Sequence, residues 1–282
     1  MPTADIANLA DIVRVHGAER PDVVALHVGD RTVTFAELVA RSSRVANALR
    51  GREWGPVTGS RSSRRTGPED IAVQLYTSGT TGLPKGVMLK NSNFFSLMSS
   101  IAPQWRFTAD SVNLAVMPMF HIAGSGWAMV GMYCGCTTVV MRDVDPAAIL
   151  EAIPIHRVSN ILLVPAVIQF VLMTPGVEET DLSSLRAIVY GASPISDDVL
   201  TKGLERFGCE FIGVYGLTET TGAITQLKGV DHDPVNRPQL LRSCGKPHPW
   251  VEVRIVDANG EDVPTCTVGE LWTRSTQNML GF

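Results

Sequence analysis

The chain has 282 residues, of which 45% are hydrophobic and 18% charged, so it is too apolar for a disordered polypeptide and long enough for one large domain or two ordinary ones. A formal net charge of −4 without a long basic run argues against nucleic acid as the main partner. Five cysteines, an odd number in a chain without small secreted-domain character, point to reduced thiols and a cytoplasmic setting, and the Cys134-Gly-Cys136 spacing does not suit a metal site.

Residues 1–17 carry acids and no continuous apolar stretch, unlike a signal peptide. The first fifty residues read as helix, hairpin, helix: Val23–Val28 is a strand, Gly29-Asp30 a turn, and Thr34-Phe-Ala-Glu37 a capping box that starts a helix running to about Arg50. Gly51–Asp70 is rich in Arg, Ser and Gly, and by composition it is a linker. From Ile71 onward, apolar runs alternate with helical patterns. "IAVQLYT", "SVNLAVMP", "TTVVM", "NILLVP", "LRAIVYG" and "CEFIGVYG" read as strands. Helices are expected near Trp127–Tyr133, from Asp145-Pro146, over Ala166–Met173 and from Ser196. Such alternation predicts an α/β fold with a parallel sheet covered on both faces. "VEVRIV", a turn at Asn259-Gly260 and "GELWTRS" predict a small β subdomain. Ser111–Met141 contains no Asp, Glu, Lys or Arg, but Pro118, His121, Asn113 and four glycines break it into short runs, so it reads as buried strands and a core helix rather than a membrane span.

Four stretches carry chemistry. "YTSGTTGLPKGV" (Tyr76–Val87) follows a strand. Its glycines Gly79, Gly82 and Gly86 let successive amides converge on an anion, Thr77, Ser78, Thr80 and Thr81 add hydroxyl donors, and Lys85 adds a positive charge. That is the content of a phosphate cradle, although neither the Walker A nor the dinucleotide glycine spacing fits. "VYGLTETTG" (Val214–Gly222) also ends a strand, where open α/β sheets bind ligands, and Glu219 among threonines suits a Mg²⁺ ion that also takes phosphate and water oxygens. "VYGASPIS" (Val189–Ser196) offers small residues against which a flat ring can lie, but by residue type alone a helix start capped by Ser196 is the better reading. His121 in "PMFHIAG" stands among apolar residues, where a satisfied core histidine is the commoner case. Gly124-Ser125-Gly126 lacks the frame of a hydrolase nucleophile elbow.

In this order and at these separations, the four stretches resemble the adenylate-forming (AMP-binding) superfamily, and most of all bacterial fatty acyl-CoA synthetases of the medium- and long-chain type. The resemblance covers about Asp70 to Phe282 together with the first fifty residues. It implies the large N-terminal domain of that fold, divided here as an N-terminal fragment (1–50), an atypical linker (51–70), an α/β core (71–243) and a β subdomain (244–282). It implies an ATP-dependent carboxylate–CoA ligase using ATP, Mg²⁺ and CoA: the carboxylate attacks the α-phosphate to give acyl-AMP and pyrophosphate, and the CoA thiol then takes the acyl group. It implies that Thr77, Ser78, Gly79, Thr80, Thr81, Gly82 and Lys85 embrace the β- and γ-phosphates. Thr218 and Glu219 would hold the α-phosphate and Mg²⁺. Gly191, Ala192 and Ser193, with Tyr215, Gly216 and Leu217, would sandwich adenine, and His121 would border the acyl carboxylate. A stripe including Phe120, Trp127, Met129 and Val130 would line the acyl pocket, although for each one singly core packing is the commoner case. The implied partners are a fatty or other carboxylic acid and CoA, with no nucleic acid, no transmembrane segment, and membrane contact at most peripheral.

Two departures from the family modify these expectations. Gly51–Asp70 stands where the family carries a long α/β segment, the mark of an internal deletion that should expose apolar strand edges and favour self-association. The family continues beyond a "QNMLGF"-like stretch with a ribose-binding aspartate and a mobile lysine-bearing domain, so the 282 residues are expected to bind nucleotide weakly and to adenylate little. The alternatives are a non-catalytic nucleotide- or partner-binding remnant, an aryl-CoA ligase, or an amino-acid adenylation domain.

Overall fold

The computed structural model describes residues 6–50, 66–78 and 82–282. Most of the atypical linker (51–65) and the centre of the phosphate-loop motif, Gly79, Thr80 and Thr81, lie outside the described residues.

Near the N-terminus, α1 (Leu9–Glu19), the hairpin β1 (Val24–Val28) and β2 (Arg31–Thr34), and α2 (Phe35–Arg50) follow the expected order. The capping box forms: the Thr34 hydroxyl accepts from the Glu37 amide at 3.2 Å, and the Glu37 carboxylate accepts from the Thr34 amide at 3.1 Å. Next come β3 (Ile71–Thr77), β4 (Lys85–Lys90), α3 (Asn91–Gln104), β5 (Val112–Ala115), α4 (Ile122–Tyr133) and β6 (Thr137–Val140). They are followed by α5 (Pro146–His156), β7 (Asn160–Leu163), α6 (Pro165–Leu172), β8 (Ala187–Gly191), α7 (Asp197–Phe207) and β9 (Glu210–Leu217). Asp145, just before Pro146 at the first helical position, caps α5 by accepting from the Ala147 and Ala148 amides, and Ser196 caps α7. The chain ends in β10 (Gly222–Leu227), β11 (Lys246–Pro247), β12 (Val251–Val256) and β13 (Glu270–Ser275).

A nine-stranded sheet in the order β11-β10-β9-β8-β7-β5-β6-β1-β2 forms the centre. Its middle, from β9 through β1, is parallel, with the N-terminal hairpin joined to β6 through Leu26↔Thr138 and its neighbours. Successive strand residues serve opposite faces. Ile188 and Tyr190 belong to one core with Ile149, Val171 and Leu200 of α5–α7, while Val189 packs into another with Ile101 and Trp127 of α3 and α4. This double burial is why those strands read as unbroken apolar runs.

Several details differ from expectation. "IAVQLYT" is not part of the parallel sheet: β3 pairs antiparallel with β4 in a separate two-stranded sheet. β10 turns back antiparallel on β9, and the helix predicted near Trp127 begins five residues earlier, at Ile122. Asn259-Gly260 leads only into a single bridge, Val256↔Asp262, before the chain returns as β13 opposite β12. Among the described residues the outer strands of the large sheet are short. In β2 only Val33 is buried, and both residues of β11 are exposed, whereas β3 of the separate two-stranded sheet carries the exposed apolar side chains Ile71 and Tyr76. No described helix is long and apolar enough to cross a membrane.

Candidate functional site

The candidate residues gather at the carboxyl ends of β8 and β9 and at the open end of the β3–β4 hairpin. Gly191 closes β8 against Val214 of β9, and Ala192 follows with a left-handed φ of 67°. A Cβ on Gly191 would stand 2.4 Å from the Val214 carbonyl oxygen, and one on Gly216 would stand 1.9 Å from that of Gly222. No side chain larger than hydrogen fits either place, and the result is a smooth rim of backbone against which a flat ring can rest. Ser193 and Leu217 are exposed on this rim, while Tyr215 and Gly216 are half-buried.

Beyond the rim, Thr218–Thr220 form one turn of 3₁₀ helix, and Thr221 takes a left-handed φ of 53°. The four residues differ in use. The Thr220 hydroxyl is engaged within the turn, accepting from the Leu217 amide at 2.9 Å. Thr221 Oγ1 donates to the Gln277 carbonyl at 2.6 Å. Among the described residues the half-buried Glu219 carboxylate has no ion-pair or hydrogen-bond partner. That leaves it open to a hard cation, as a Mg²⁺ site with phosphate and water ligands requires. No cluster of three or more His, Cys, Asp or Glu able to hold a metal occurs among the described residues.

The turn is held from behind by a strap, residues 276–281, which the sequence reading passed over. Gln277 is fully buried. Its Nε2 donates to the carbonyls of Thr220 (2.7 Å) and Ala223 (2.9 Å), and its Oε1 accepts from Trp250 Nε1 (2.8 Å). The Met279 amide donates to the Glu219 carbonyl at 2.8 Å. On its other side, the strap exchanges hydrogen bonds with β4, Leu280 to Met88 and Met88 to Gly281, each 2.9 Å. Asn93, at the start of α3, donates to the carbonyls of Thr276 and Asn278. One six-residue segment thus fixes the Glu219 turn relative to the strand that begins at Lys85. Nothing in the polar run "STQN" signals this, because the burial of Gln277 arises only from distant partners.

Lys85 opens β4 opposite Thr77, the last residue of β3, and its Nζ lies 4.9 Å from the centroid of the Phe282 ring. Ser78 and Gly82 are exposed, and Gly82 has a φ of 94° with open space around it. His121 is not a core residue. It is exposed and caps α4, its Nδ1 accepting from the Ala123 amide at 3.1 Å. Ser125 Oγ donates to the His121 carbonyl inside the helix, an arrangement unlike a hydrolase nucleophile.

A cavity of about 100 Å³ opens between this rim and the α3–α4 core. His121, Gly191, Ala192, Gly216 and Thr221 line its mouth, and Met98, Ile101, Trp105, Trp127 and Val130 its interior. Of the expected apolar stripe, Trp127 and Val130 line it, but Phe120 and Met129 do not. Phe120 precedes the helix cap and is 80% exposed, while Met129 packs into the core from the side. A larger open depression at the opposite, amino ends of β8 and β9 holds Arg106 paired with Glu210, and Arg186 bonded to Asp110, so its charges are spent on one another.

The AMP-binding enzyme family matches residues 54–282, which includes most of the atypical linker and all of the site. Fatty acid–[acyl-carrier-protein] ligase ScoC of Streptomyces coeruleorubidus is 35% identical over 221 residues, covering 76% of this chain and 42% of that protein. 4-Coumarate–CoA ligase-like 2 of Arabidopsis thaliana is 36% identical over 232 residues, covering 79% of this chain and 39% of that one. Among solved structures, the Bacillus subtilis o-succinylbenzoate CoA synthetase in complex with ATP and magnesium superposes with a TM-score of 0.81 at 21% identity, covering 96% of this chain and 71% of that one. The chain spans about two fifths of the length of the curated relatives it matches.

Proposed function

The chain belongs to the AMP-binding enzyme family, and from that premise we propose that it binds Mg²⁺·ATP and an apolar carboxylic acid of fatty-acid type for acyl-adenylate formation. The acyl group would then pass to the thiol of CoA. One observation supports this most: a partnerless acid on a pinned turn and a lysine on a hairpin are tied to the same strap, beside a backbone rim and the mouth of an apolar cavity. In this reading Thr77, Ser78, Gly79, Thr80, Thr81, Gly82 and Lys85 hold the β- and γ-phosphates. Thr218 and Glu219 serve the α-phosphate and its Mg²⁺, and Gly191, Ala192, Ser193, Tyr215, Gly216 and Leu217 border adenine. His121, fixed as a helix cap at the cavity mouth, faces the place where a carboxylate would lie.

Attack at phosphorus asks the protein to align two anions and neutralise charge rather than to supply a nucleophile. Lys85 and the glycine-rich backbone would draw charge toward the leaving pyrophosphate. The ion held by Glu219 would neutralise the phosphate oxygens. The apolar cavity would seat the acid's tail, leaving only its carboxylate at the polar rim. A relative named as an acyl-carrier-protein ligase makes a carrier-protein thiol the second reading for the acceptor.

The test is calorimetric titration of the chain with ATP in Mg²⁺ and with AMP, followed by acid-dependent ATP–pyrophosphate exchange with aliphatic, aryl and amino acids. The expected result is nucleotide binding, with any exchange dependent on an apolar aliphatic acid. Absence of binding to both nucleotides would contradict the proposal.

A further inference from the structure

Two indoles line the cavity. Trp105 and Trp127 are almost fully buried, with ring centroids 5.7 Å apart. Each is tethered by its N–H to a different strand of the large sheet: Trp105 Nε1 donates to Gln226 Oε1 at 3.1 Å, on β10, and Trp127 Nε1 donates to the Leu114 carbonyl at 3.0 Å, on β5. Phe107 sits edge-on against Trp127 at 5.1 Å. Rings held by hydrogen bonds and aromatic packing do not swing aside as a flexible aliphatic side chain would, so this wall is fixed. Because both indole N–H groups are already used, the interior offers an entering tail no free indole donor. Hydroxylated or charged tails would lose their hydration without replacement.

The volume then sets the size. A dry cavity of roughly 150 Å³ accommodates benzene, six carbons. The cavity here is about 100 Å³, and part of it belongs to the mouth shared with the adenine rim. On that scale it takes a tail of about four carbons, too small a space for a long fatty chain or a hydroxycinnamyl group.

We propose that the acid is a short, unfunctionalised aliphatic carboxylate, and that the Trp105–Trp127 pair is the specificity-determining wall that excludes long-chain and aryl acids. This narrows the adenylation reading and rests on it. Gly126 supplies an internal control. It lines the cavity, and a Cβ placed there would come no nearer than 3.5 Å to Ile122, so a larger residue can be introduced without striking backbone.

The experiment uses stable acyl-adenylate mimics, acylsulfamoyl adenosines with butanoyl, hexanoyl, dodecanoyl and cinnamoyl tails, titrated calorimetrically against the chain with AMP as the tail-less reference. The butanoyl or hexanoyl mimic is expected to bind tightest, and the dodecanoyl and cinnamoyl mimics at least about tenfold more weakly, the scale on which pockets discriminate by a few methylenes. Trp105→Leu, or Met98→Ala if the first variant fails to fold, should move the optimum to longer tails. Gly126→Leu should bring the butanoyl-to-AMP affinity ratio toward one. Dodecanoyl or cinnamoyl tails binding as well as butanoyl to the unaltered chain, or an optimum unmoved by enlarging the cavity, would overturn the inference while leaving the adenylation reading intact. Failure of AMP and every mimic to bind would overturn both.

Discussion

The two loops that carry the charged candidates are built in opposite ways. The turn holding Thr218 and Glu219 is mostly buried, its Thr220 and Glu219 carbonyls are taken by Gln277 and Met279, and two of its three hydroxyls, those of Thr220 and Thr221, are spent on hydrogen bonds within the protein. At the end of the β3–β4 hairpin the described residues Ser78, Gly82, Leu83 and Pro84 are exposed, and a Cβ on Gly82 would meet nothing within 4 Å. The difference teaches a division of labour. An ion-holding acid gains from a fixed position, because a hard cation keeps strict ligand distances. A loop that surrounds a polyphosphate must admit and release it, and open backbone amides with one lysine suit that task.

The largest expected effect comes from releasing the fixed loop. Gln277→Leu keeps the volume but strands the Trp250 N–H and the carbonyls of Thr220 and Ala223. It should cost about 3 kcal/mol or more in urea unfolding, since each unsatisfied buried group costs roughly 1–3 kcal/mol. A loss below about 0.5 kcal/mol would mean the strap does not hold the turn.

A comparable effect is expected from acid. His248 stacks on Trp250 at 4.8 Å, its Nε2 is buried without a partner, and burial lowers its pKa to about 4. Because the folded-state value lies below the unfolded one, the unfolded chain binds the proton more readily. Stability should therefore be full above about pH 6.5 and fall, by up to about 3 kcal/mol, as pH drops toward 4. Burial also lowers the pKa of His232, which is hydrogen-bonded to Tyr190 at 2.9 Å, so it contributes in the same direction. Replacing His248 with Phe should flatten the profile measured by urea unfolding between pH 7.5 and 5; an unchanged slope would assign the effect elsewhere.

A smaller effect separates charge from scaffold. Glu219→Gln leaves the backbone bonds of the turn in place and should weaken ATP binding about tenfold in Mg²⁺ while leaving metal-free binding unaltered. If titrations with and without Mg²⁺ change equally, Glu219 is not the ion's ligand.

Much of the fold was legible because doubly buried parallel strands print themselves as apolar runs. Asn160–Leu163, Ala187–Gly191 and Phe211–Val214 could be read directly, as could the helix starts at Asp145-Pro146 and Ser196. Pairing direction leaves no such print, so the apolar run of β3 reads like a strand of the parallel sheet although it pairs antiparallel with β4. α3 was hidden by Asn91-Ser92-Asn93 at its start and Pro103 at its end, residues typical of loops, and the cavity wall formed by Met98, Ile101 and Trp105 was hidden with it. The family resemblance implied Phe120 for the acyl pocket, but a residue just outside a helix cap follows no helical face. Local composition marked the glycine rim and Glu219, whereas Gln277 is defined wholly by partners far along the chain.

The central claim is that the Lys85 hairpin and the Glu219 turn grip the same polyphosphate. The most direct measurement compares Mg²⁺·ATP with AMP on the unaltered chain and on Lys85→Ala by calorimetry. The account predicts a loss of at least about tenfold for Mg²⁺·ATP with AMP unchanged, because only the β- and γ-phosphates reach the hairpin. An equal loss for both nucleotides, or none for either, would contradict it.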